Sequence, residues 1–474
     1  MGTTTVKALL LAPDGTPCGT AVVPYPGGRA PDDPESWWTA VGRAVRGLDL
    51  GRRDVTVAGV GVAGRGGGVA LLDARGQPVA MPWDAVRARV VGLPLARTRR
   101  FRRVAQWGRL LAAARRVAAG ATARVALVLP VKDYVAFRLT GIAGTDPPSG
   151  ACPRWPADPA PLGVPAPLLP RMRRPESRLG GTEARAAALL GLEPGVPVAV
   201  GTLDGIAANL GAGMLRTGEG CLTLGTHAVV RVNTRRPVDG RWTVAAFTYP
   251  FVGGGWTSGG DVPEAGAAMA WLARLARDGG APPAGRARAR VPGTEGPRGI
   301  FEDAGEAARF FAAHAALDAL AAETPPGAGG LRFFPDAGAG AALAGLRPDH
   351  RLGHLARAIM EGIAMALADV LERLAGRAGR PRALRLTGGG SRSRVWAEIA
   401  AAAVDRPLGL VAPEASARGA AILAAVAAGV WPDVAAAARR MVREAGSVGP
   451  APGLRRSYAE LRADRAPYGT GRQS

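Results

Sequence analysis

The chain has almost no lysine. Of its 60 lysine and arginine residues only Lys7 and Lys132 are lysine, so a net charge of +22 rests on arginine scattered from end to end among Ala, Gly and Pro. Aromatic residues make up only 5% of the chain and do not interleave with the arginines, so the stacking platforms of single-strand nucleic-acid binders are missing. The even scatter is read as the mark of GC-rich codon usage, and no nucleic-acid partner is expected. Cysteine is scarce too: Cys18, Cys152 and Cys221 form no CxxC pair and are odd in number. With no leader pattern at the start, a reducing, cytoplasmic setting is expected. Every apolar run is broken by Arg, Asp or Pro short of the about 18 residues a membrane span needs, so no membrane association is expected. The four histidines, His227, His314, His350 and His354, lack metal-ligand spacing: Gly353 lies between the last two and no carboxylate complements them. Surface or helix-capping roles are expected for them.

What is present is enough apolar residue, 47% of 474, for two domains of about equal size. Strand and helix signals alternate, which predicts an α/β fold. Strands are predicted over Lys7 to Ala12, Thr20 to Val23, Val55 to Val62, Val69 to Leu72 and Pro197 to Gly201. Helices are predicted over Ser36 to Leu48, Leu95 to Ala119, Lys132 to Thr140 (ended by Gly141), Glu183 to Leu190 and Ala265 to Leu275. The strongest helical periodicity runs from Leu355 to Leu374, with Ile359, Ile363, Ala366 and Val370 between, a stripe suited to packing on a sheet. Pro147 to Pro175 is a proline-rich connection, and Gly279 to Gly299 is a low-complexity loop. Both halves carry a Gly-Thr turn leading into an apolar strand, a weak internal duplication with a boundary near Gly213.

Three separated segments carry phosphate chemistry. Gly2-Thr-Thr-Thr-Val-Lys7 and Leu224-Gly-Thr226-His227 are Gly-Thr turns, where backbone N–H groups and hydroxyls can face phosphate oxygens. Thr387-Gly-Gly-Gly390-Ser391 is a glycine turn between a strand (Ala383 to Leu386) and a helix (from Val395), which suits close approach of a nucleotide to backbone and to a helix N-terminus. A nucleotide-dependent kinase is the economical reading. Gly59-Val-Gly-Val-Ala-Gly64 matches the dinucleotide fingerprint by letter, but a strand follows it instead of a helix. No lysine lies in a Walker A context. Asp204 stands at the end of the strand Val198 to Gly201. It could accept a proton from a sugar hydroxyl attacking a γ-phosphate, or simply cap a helix over Ile206 to Leu210.

Together these segments resemble the FGGY family of carbohydrate kinases, nearest to its xylulokinase and polyol-kinase branches. Gly2 to Lys7 is similar to the family's first phosphate turn. Val62 to Asp73 with Pro82-Trp83-Asp84-Ala-Val-Arg87 resembles its substrate-side segments. Lys132-Asp133-Tyr134, Arg138-Leu-Thr-Gly141 and Thr145-Asp146 resemble its KDY, RLTG and TD stretch. Gly201 to Gly213 is similar to the segment bearing the catalytic base, Leu224 to Thr226 to the second phosphate turn, and Arg385 to Ser393 with Trp396 and Arg418-Gly-Ala-Ala421 to the adenosine side.

The resemblance implies an actin-like ATPase (ribonuclease H-like) fold, with two lobes around a cleft holding ATP and Mg²⁺. The lobes would be residues 1–213 (sugar side, first phosphate turn, catalytic Asp204) and 214–440 (second phosphate turn, adenosine site), followed by a tail over 441–474. Thr3, Thr4 and Lys7 would hold phosphates in one lobe and Thr226 in the other, with Gly389, Gly390 and Ser393 along the adenosine and α-phosphate. Arg65, Gly66, Trp83 and Asp84, with Asp204, would line the sugar side. The substrate would be a small sugar or polyol, pentulose-like or a tetritol or pentitol, and a homodimer would fit the family.

Three departures are visible. In the family the first strand ends in Asp-x-Gly-Thr and its Asp helps hold the metal; here Met1 precedes Gly2, so no metal ligand is assigned. The expectation is a start codon assigned too late, with an apolar strand and an acid encoded upstream. The Gln-Met-His-Gly-like sugar segment of xylulokinases is replaced by Arg65-Gly-Gly-Gly68, as in the glycine-rich versions of the family's polyol kinases, which argues against ordinary xylulose selectivity more than against kinase activity. The family's Gly-Glu-Arg loop is reduced to Pro335 to Gly345. These departures leave open a pseudokinase that binds nucleotide or sugar without turnover.

Overall fold

The computed structural model describes residues 1–2, 5–25, 33–52, 55–83, 85–86, 104–150, 164–225, 227–238, 246–277, 304–335 and 340–464. The chain divides into two compact units. The first is Met1–Gly213 with Tyr249–Trp256 and Ser416–Val442, and the second is Met214–Thr248, Thr257–Ala415 and Arg443–Ser474.

In the first unit β1 (Thr5–Leu11) and β2 (Pro17–Pro24) form an antiparallel hairpin, Val6 opposite Val23, around a turn at Pro13–Gly15. Helix α1 (Pro34–Arg46) starts at Asp33, whose carboxylate accepts from Ser36 N at 2.9 Å, and buries Trp37, Val41 and Ala44 on one face. There follow β3 (Ala63–Gly64), β4 (Val69–Leu72), α2 (Val104–Val117) and β5 (Leu127–Pro130). Strand β4 is buried on both sides. Ala70 and Leu72 enter the core of Trp37, Tyr134 and Leu139, whereas Val69 and Leu71 enter that of Leu111 and Val128, as the two-residue side-chain alternation of a strand requires. Next come α3 (Val131–Thr140), stopped at Gly141 as predicted, β6 (Gly144–Thr145), β7 (Arg171–Met172), β8 (Arg178–Gly181), α4 (Ala184–Leu190), β9 (Pro197–Ala199), β10 (Thr202–Leu203) and α5 (Asp204–Gly211).

The strand predicted over Val55 to Val62 is reduced to one bridge, Val60 with Val198. Its glycines serve helix packing instead: a Cβ on Gly61 would lie 2.0 Å from the Ala420 carbonyl oxygen. The helix predicted from Leu95 begins, within the described residues, at Val104. The predicted loop from Gly279 to Gly299, and much of the proline-rich connection, lie outside them.

The second unit contains β11 (Glu219–Leu224), β12 (Ala228–Thr234), most of β13 (Ala246–Pro250) and of β14 (Trp256–Val262), whose residues Tyr249, Pro250 and Trp256 count with the first, then α6 (Ala265–Arg277), α7 (Ala304–Glu323), β15 (Arg332–Phe334), β16 (Ala342–Ala344), α8 (Leu352–Ala378), β17 (Ala383–Thr387), α9 (Arg394–Ala403) and β18 (Leu408–Val411). Helix α8 extends the predicted Leu355 to Leu374 stripe at both ends. Its buried Ile359, Ile363 and Val370 share a core with Leu222, Val230 and Leu386 of the sheet, so the periodicity found its sheet. The chain then leaves for the first unit with α10 (Ala415–Ala427) and α11 (Val434–Met441), and returns as β19 (Glu444–Val448) and α12 (Pro452–Asp464). The sheet order is β13-β14-β12-β11-β17-β18-β19. These compact units differ from the expected division in one stretch: Ser416–Val442 counts with the first unit.

Candidate functional site

In the first unit, three segments far apart in sequence lie side by side. Strand β3 pairs parallel with β10, Ala63 opposite Thr202 and Gly64 opposite Leu203. Met1 flanks β3: its amino group donates to Ala63 O at 2.7 Å, and Arg65 N donates to Met1 O at 3.0 Å. The start of the chain, the Gly64–Gly68 segment and the strand leading to Asp204 thus form one group. Asp204 is the first residue of α5, preceded by Leu203 at the cap position, and its Oδ1 accepts from Gly205 N at 2.7 Å. It is not the N-cap that the capping alternative requires.

Helix α10 grips α5 along its length. Ser416 Oγ donates to the Asp204 carbonyl at 3.1 Å, and the Arg418 guanidinium donates to Gly211 O at 2.8 Å. Between them, a Cβ on Gly419 would fall 1.9 Å from Ala207 O, so only glycine allows this approach. The Arg418-Gly-Ala-Ala421 run, assigned by resemblance to the adenosine side, therefore packs on the helix that carries Asp204.

Beneath β10 lies a buried ionic group. Lys132 is 2% exposed, and Asp133 and Asp146 are 0% exposed. Lys132 Nζ contacts Asp133 Oδ1, pairs with Asp146 Oδ1 at 3.0 Å and donates to Val200 O at 3.1 Å; Thr202 Oγ1 donates to Asp146 Oδ2 at 2.6 Å. Burial pushes the Asp133 carboxyl up to about 6, against the opposing charge of Lys132 and with the like charge of Asp146. Burial pulls the Lys132 ammonium down, but Asp133 and Asp146 outweigh it and hold it above its ordinary value.

In the second unit the two remaining motifs meet because β11 and β17 pair parallel, Leu222 opposite Leu386 and Thr223 opposite Thr387. Both strands end at their turns, Gly225 and Gly388. A Cβ on Gly388 would lie 2.4 Å from Leu224 O, and one on Gly390 would lie 2.8 Å from Leu224 Cβ and 2.9 Å from the Trp396 ring. The turns open at the carboxyl ends of parallel strands beside the N-terminus of α9, where backbone N–H groups and the helix dipole favour a phosphate chain. These residues fit a nucleotide. Ser393 caps α9: its Oγ accepts from Trp396 N at 3.2 Å and donates to Asp318 Oδ1 at 2.9 Å. Burial pushes the Asp318 carboxyl up, opposed by that hydrogen bond.

Of the other sequence candidates, Lys7 lies on β1 opposite Val22. Gly66 follows Arg65 just beyond β3, and Arg65 carries its positive charge toward the buried Tyr25 hydroxyl. Trp83 packs on the core of Val69 and Leu111, outside the β3–β10 group. Thr3, Thr4, Asp84 and Thr226 lie outside the described residues. His350 and His354 act as backbone acceptors, from Arg347 N and Arg351 N, both at 3.1 Å. Sequence reasoning missed Asp318, Ser416 and the partnership of Lys132 with Asp146. Arg418 was noticed, but its grip on α5 was not, because each of these contacts joins residues remote in sequence.

Residues 220–428 match the C-terminal domain of the FGGY family of carbohydrate kinases. The xylulose kinase of Streptomyces coelicolor is 32% identical over 452 residues, covering 88% of this chain and 83% of that one. The erythritol kinase of Brucella abortus is 28% identical over 436 residues, covering 83% and 79%. Among solved structures, the xylulose kinase from Rhodospirillum rubrum is 28% identical with a TM-score of 0.73 and coverage of 98% of each chain. The chain belongs to the FGGY family of carbohydrate kinases, with its actin-like α/β fold. Its activity is that of a phosphotransferase with an alcohol group as acceptor.

Proposed function

We propose that this kinase transfers the γ-phosphoryl group of ATP to a terminal hydroxyl of a small sugar or polyol, a pentulose of the xylulose kind or a tetritol or pentitol, with Asp204 as general base. The observation that supports this reading most is the parallel β3–β10 pairing, which sets Asp204, just beyond Leu203, near the Gly64–Gly68 segment and the chain start. A carboxylate on the first turn of a helix, with Gly205 N on its Oδ1 among the described residues, retains acceptor capacity for a substrate hydroxyl. The xylulose and erythritol kinases among the relatives suggest the substrate range and favour turnover over a pseudokinase.

The nucleotide would lie on the Leu224–Gly225 and Gly388–Gly390 turns, whose N–H groups would offset phosphate charge, with Mg²⁺ accompanying its phosphate oxygens. Lys7, Thr3, Thr4 and Thr226 would add phosphate contacts, Ser393 would fix the entry to α9, and Arg65, Gly66, Trp83 and Asp84 would face the sugar. An enzyme drawing on ATP would work in the cytoplasm, as a homodimer by family analogy.

The test is a panel of pentuloses, pentitols, tetritols and glycerol with coupled detection of ADP. ADP formation that depends on one of these acceptors is the expected result. Nucleotide binding with no acceptor-dependent ADP from any of them would overturn the reading in favour of a binding scaffold.

A further inference from the structure

In a chain where arginine has taken 58 of 60 basic positions, Lys132 is a lysine, and it is fully enclosed. Arginine would not serve here. The ammonium donates to Asp133 Oδ1 and Val200 O and pairs ionically with Asp146 Oδ1 at 3.0 Å, an arrangement that suits the compact head of lysine. The planar five-donor fork of arginine is larger and would leave N–H groups buried without partners.

The placement of these contacts is informative. Val200 and Thr202 stand on either side of Gly201, where the chain turns from β9 to β10 with a φ of +76°. Lys132 holds the near side through Val200 O, and Asp146, fixed by Lys132, holds the far side through Thr202 Oγ1. Lys132 also backs the neighbouring strand, since a Cβ on Gly64 would lie 2.8 Å from Lys132 Cβ. Two residues beyond Thr202 the chain reaches Asp204. A buried ion group is a poor device for stability alone, because desolvation of three charges offsets most of their attraction. It is a good device for fixing geometry, because each partner has one place to be.

We propose that Lys132, Asp146 and Thr202 form a positioning relay that sets the Asp204 carboxylate against the acceptor hydroxyl, the ammonium anchoring Asp146 and Asp146 anchoring Thr202. The relay rests on the reading of Asp204 as the base, and the experiment separates the two. Thr202→Val replaces the hydroxyl with a methyl of similar size and serves where Lys132→Met does not fold.

Expected are a fall in kcat of about tenfold or more for Thr202→Val, since small displacements of reacting groups are costly, an unchanged KM for ATP, and recovery to within about twofold of wild type in Thr202→Ser, which restores the hydroxyl. In an Asp204→Asn background Thr202→Val should add little, because a relay has nothing left to position. If Thr202→Val keeps wild-type kcat while Asp204→Asn is inactive, the relay is overturned and the base stands. If Thr202→Val costs the same factor in both backgrounds, its role is structural and the relay is likewise overturned. If Asp204→Asn retains wild-type turnover, the base reading falls and the relay with it.

Discussion

Gly388 stands so close to Leu224 that a Cβ on it would lie 2.4 Å from the Leu224 carbonyl oxygen, and its φ is +96°. Two turns separated by more than 160 residues are thereby pressed together at the ends of β11 and β17. Gly388→Ala meets both a backbone clash and a left-handed φ, at a cost of about 1 to 3 kcal/mol. The expected outcome is a lower unfolding midpoint and a KM for ATP raised about tenfold, the equivalent of about 1.4 kcal/mol, with the KM for the sugar little changed. Steady-state kinetics varying each substrate in turn provide the check, and an unchanged KM for ATP would remove this turn from the nucleotide site.

Asp204→Asn keeps the shape of the side chain and removes the basic oxygen. Turnover should fall at least about a hundredfold, the usual scale for a positioned base, with nucleotide binding intact. Retention of more than about a tenth of wild-type turnover would return Asp204 to a purely structural place at the start of α5.

Gly419→Ala tests the grip of α10 on α5, since the added methyl would fall 1.9 Å from Ala207 O. Backbone must move, and overpacking of this kind costs about 1 to 3 kcal/mol. Because the helix displaced is the one bearing Asp204, kcat should drop along with the melting temperature. A variant that melts lower but turns over as wild type at low temperature would show that α5 tolerates the shift.

The Asp133 carboxyl, raised to about 6 among Lys132 and Asp146, gives a pH dependence of defined sign. Its folded value lies above its unfolded one, so its contribution to stability is fully present below the ordinary carboxylate range and is lost as pH rises through about 6. Wild type should therefore lose stability relative to Asp133→Asn between about pH 5 and about pH 7. Denaturant midpoints of both proteins at the two values decide it. A difference that is constant, or that grows the other way, would mean that Lys132 favours the ionised form.

The arginine excess is expected to have no selective nucleic-acid site behind it. Any binding to duplex DNA should vanish by about 0.2 M salt, as counterion-driven contacts do. Sequence-selective binding that survives that salt would assign the charge a second role.

Much of the fold was legible because it is local. The stop at Gly141 and the long stripe of α8 each follow from turn chemistry or periodicity within a short window. The Val55 to Val62 segment shows where this fails: it reads as a strand by propensity, but its glycines are taken up by contact with α10, which lies more than 350 residues away.

The sequence by itself determined the family, the α/β class and the glycine turns, since these reside in residue types at fixed spacing along the chain. Only the tertiary structure decided that Ala63 lies opposite Thr202 and Leu222 opposite Leu386, because strand register is chosen by side chains packing from both partners at once. It also decided that Lys132 is buried. A lysine on the first turn of a helix reads as a solvated charge until Asp146 and Val200, brought in from 14 and 68 residues further along, close around it.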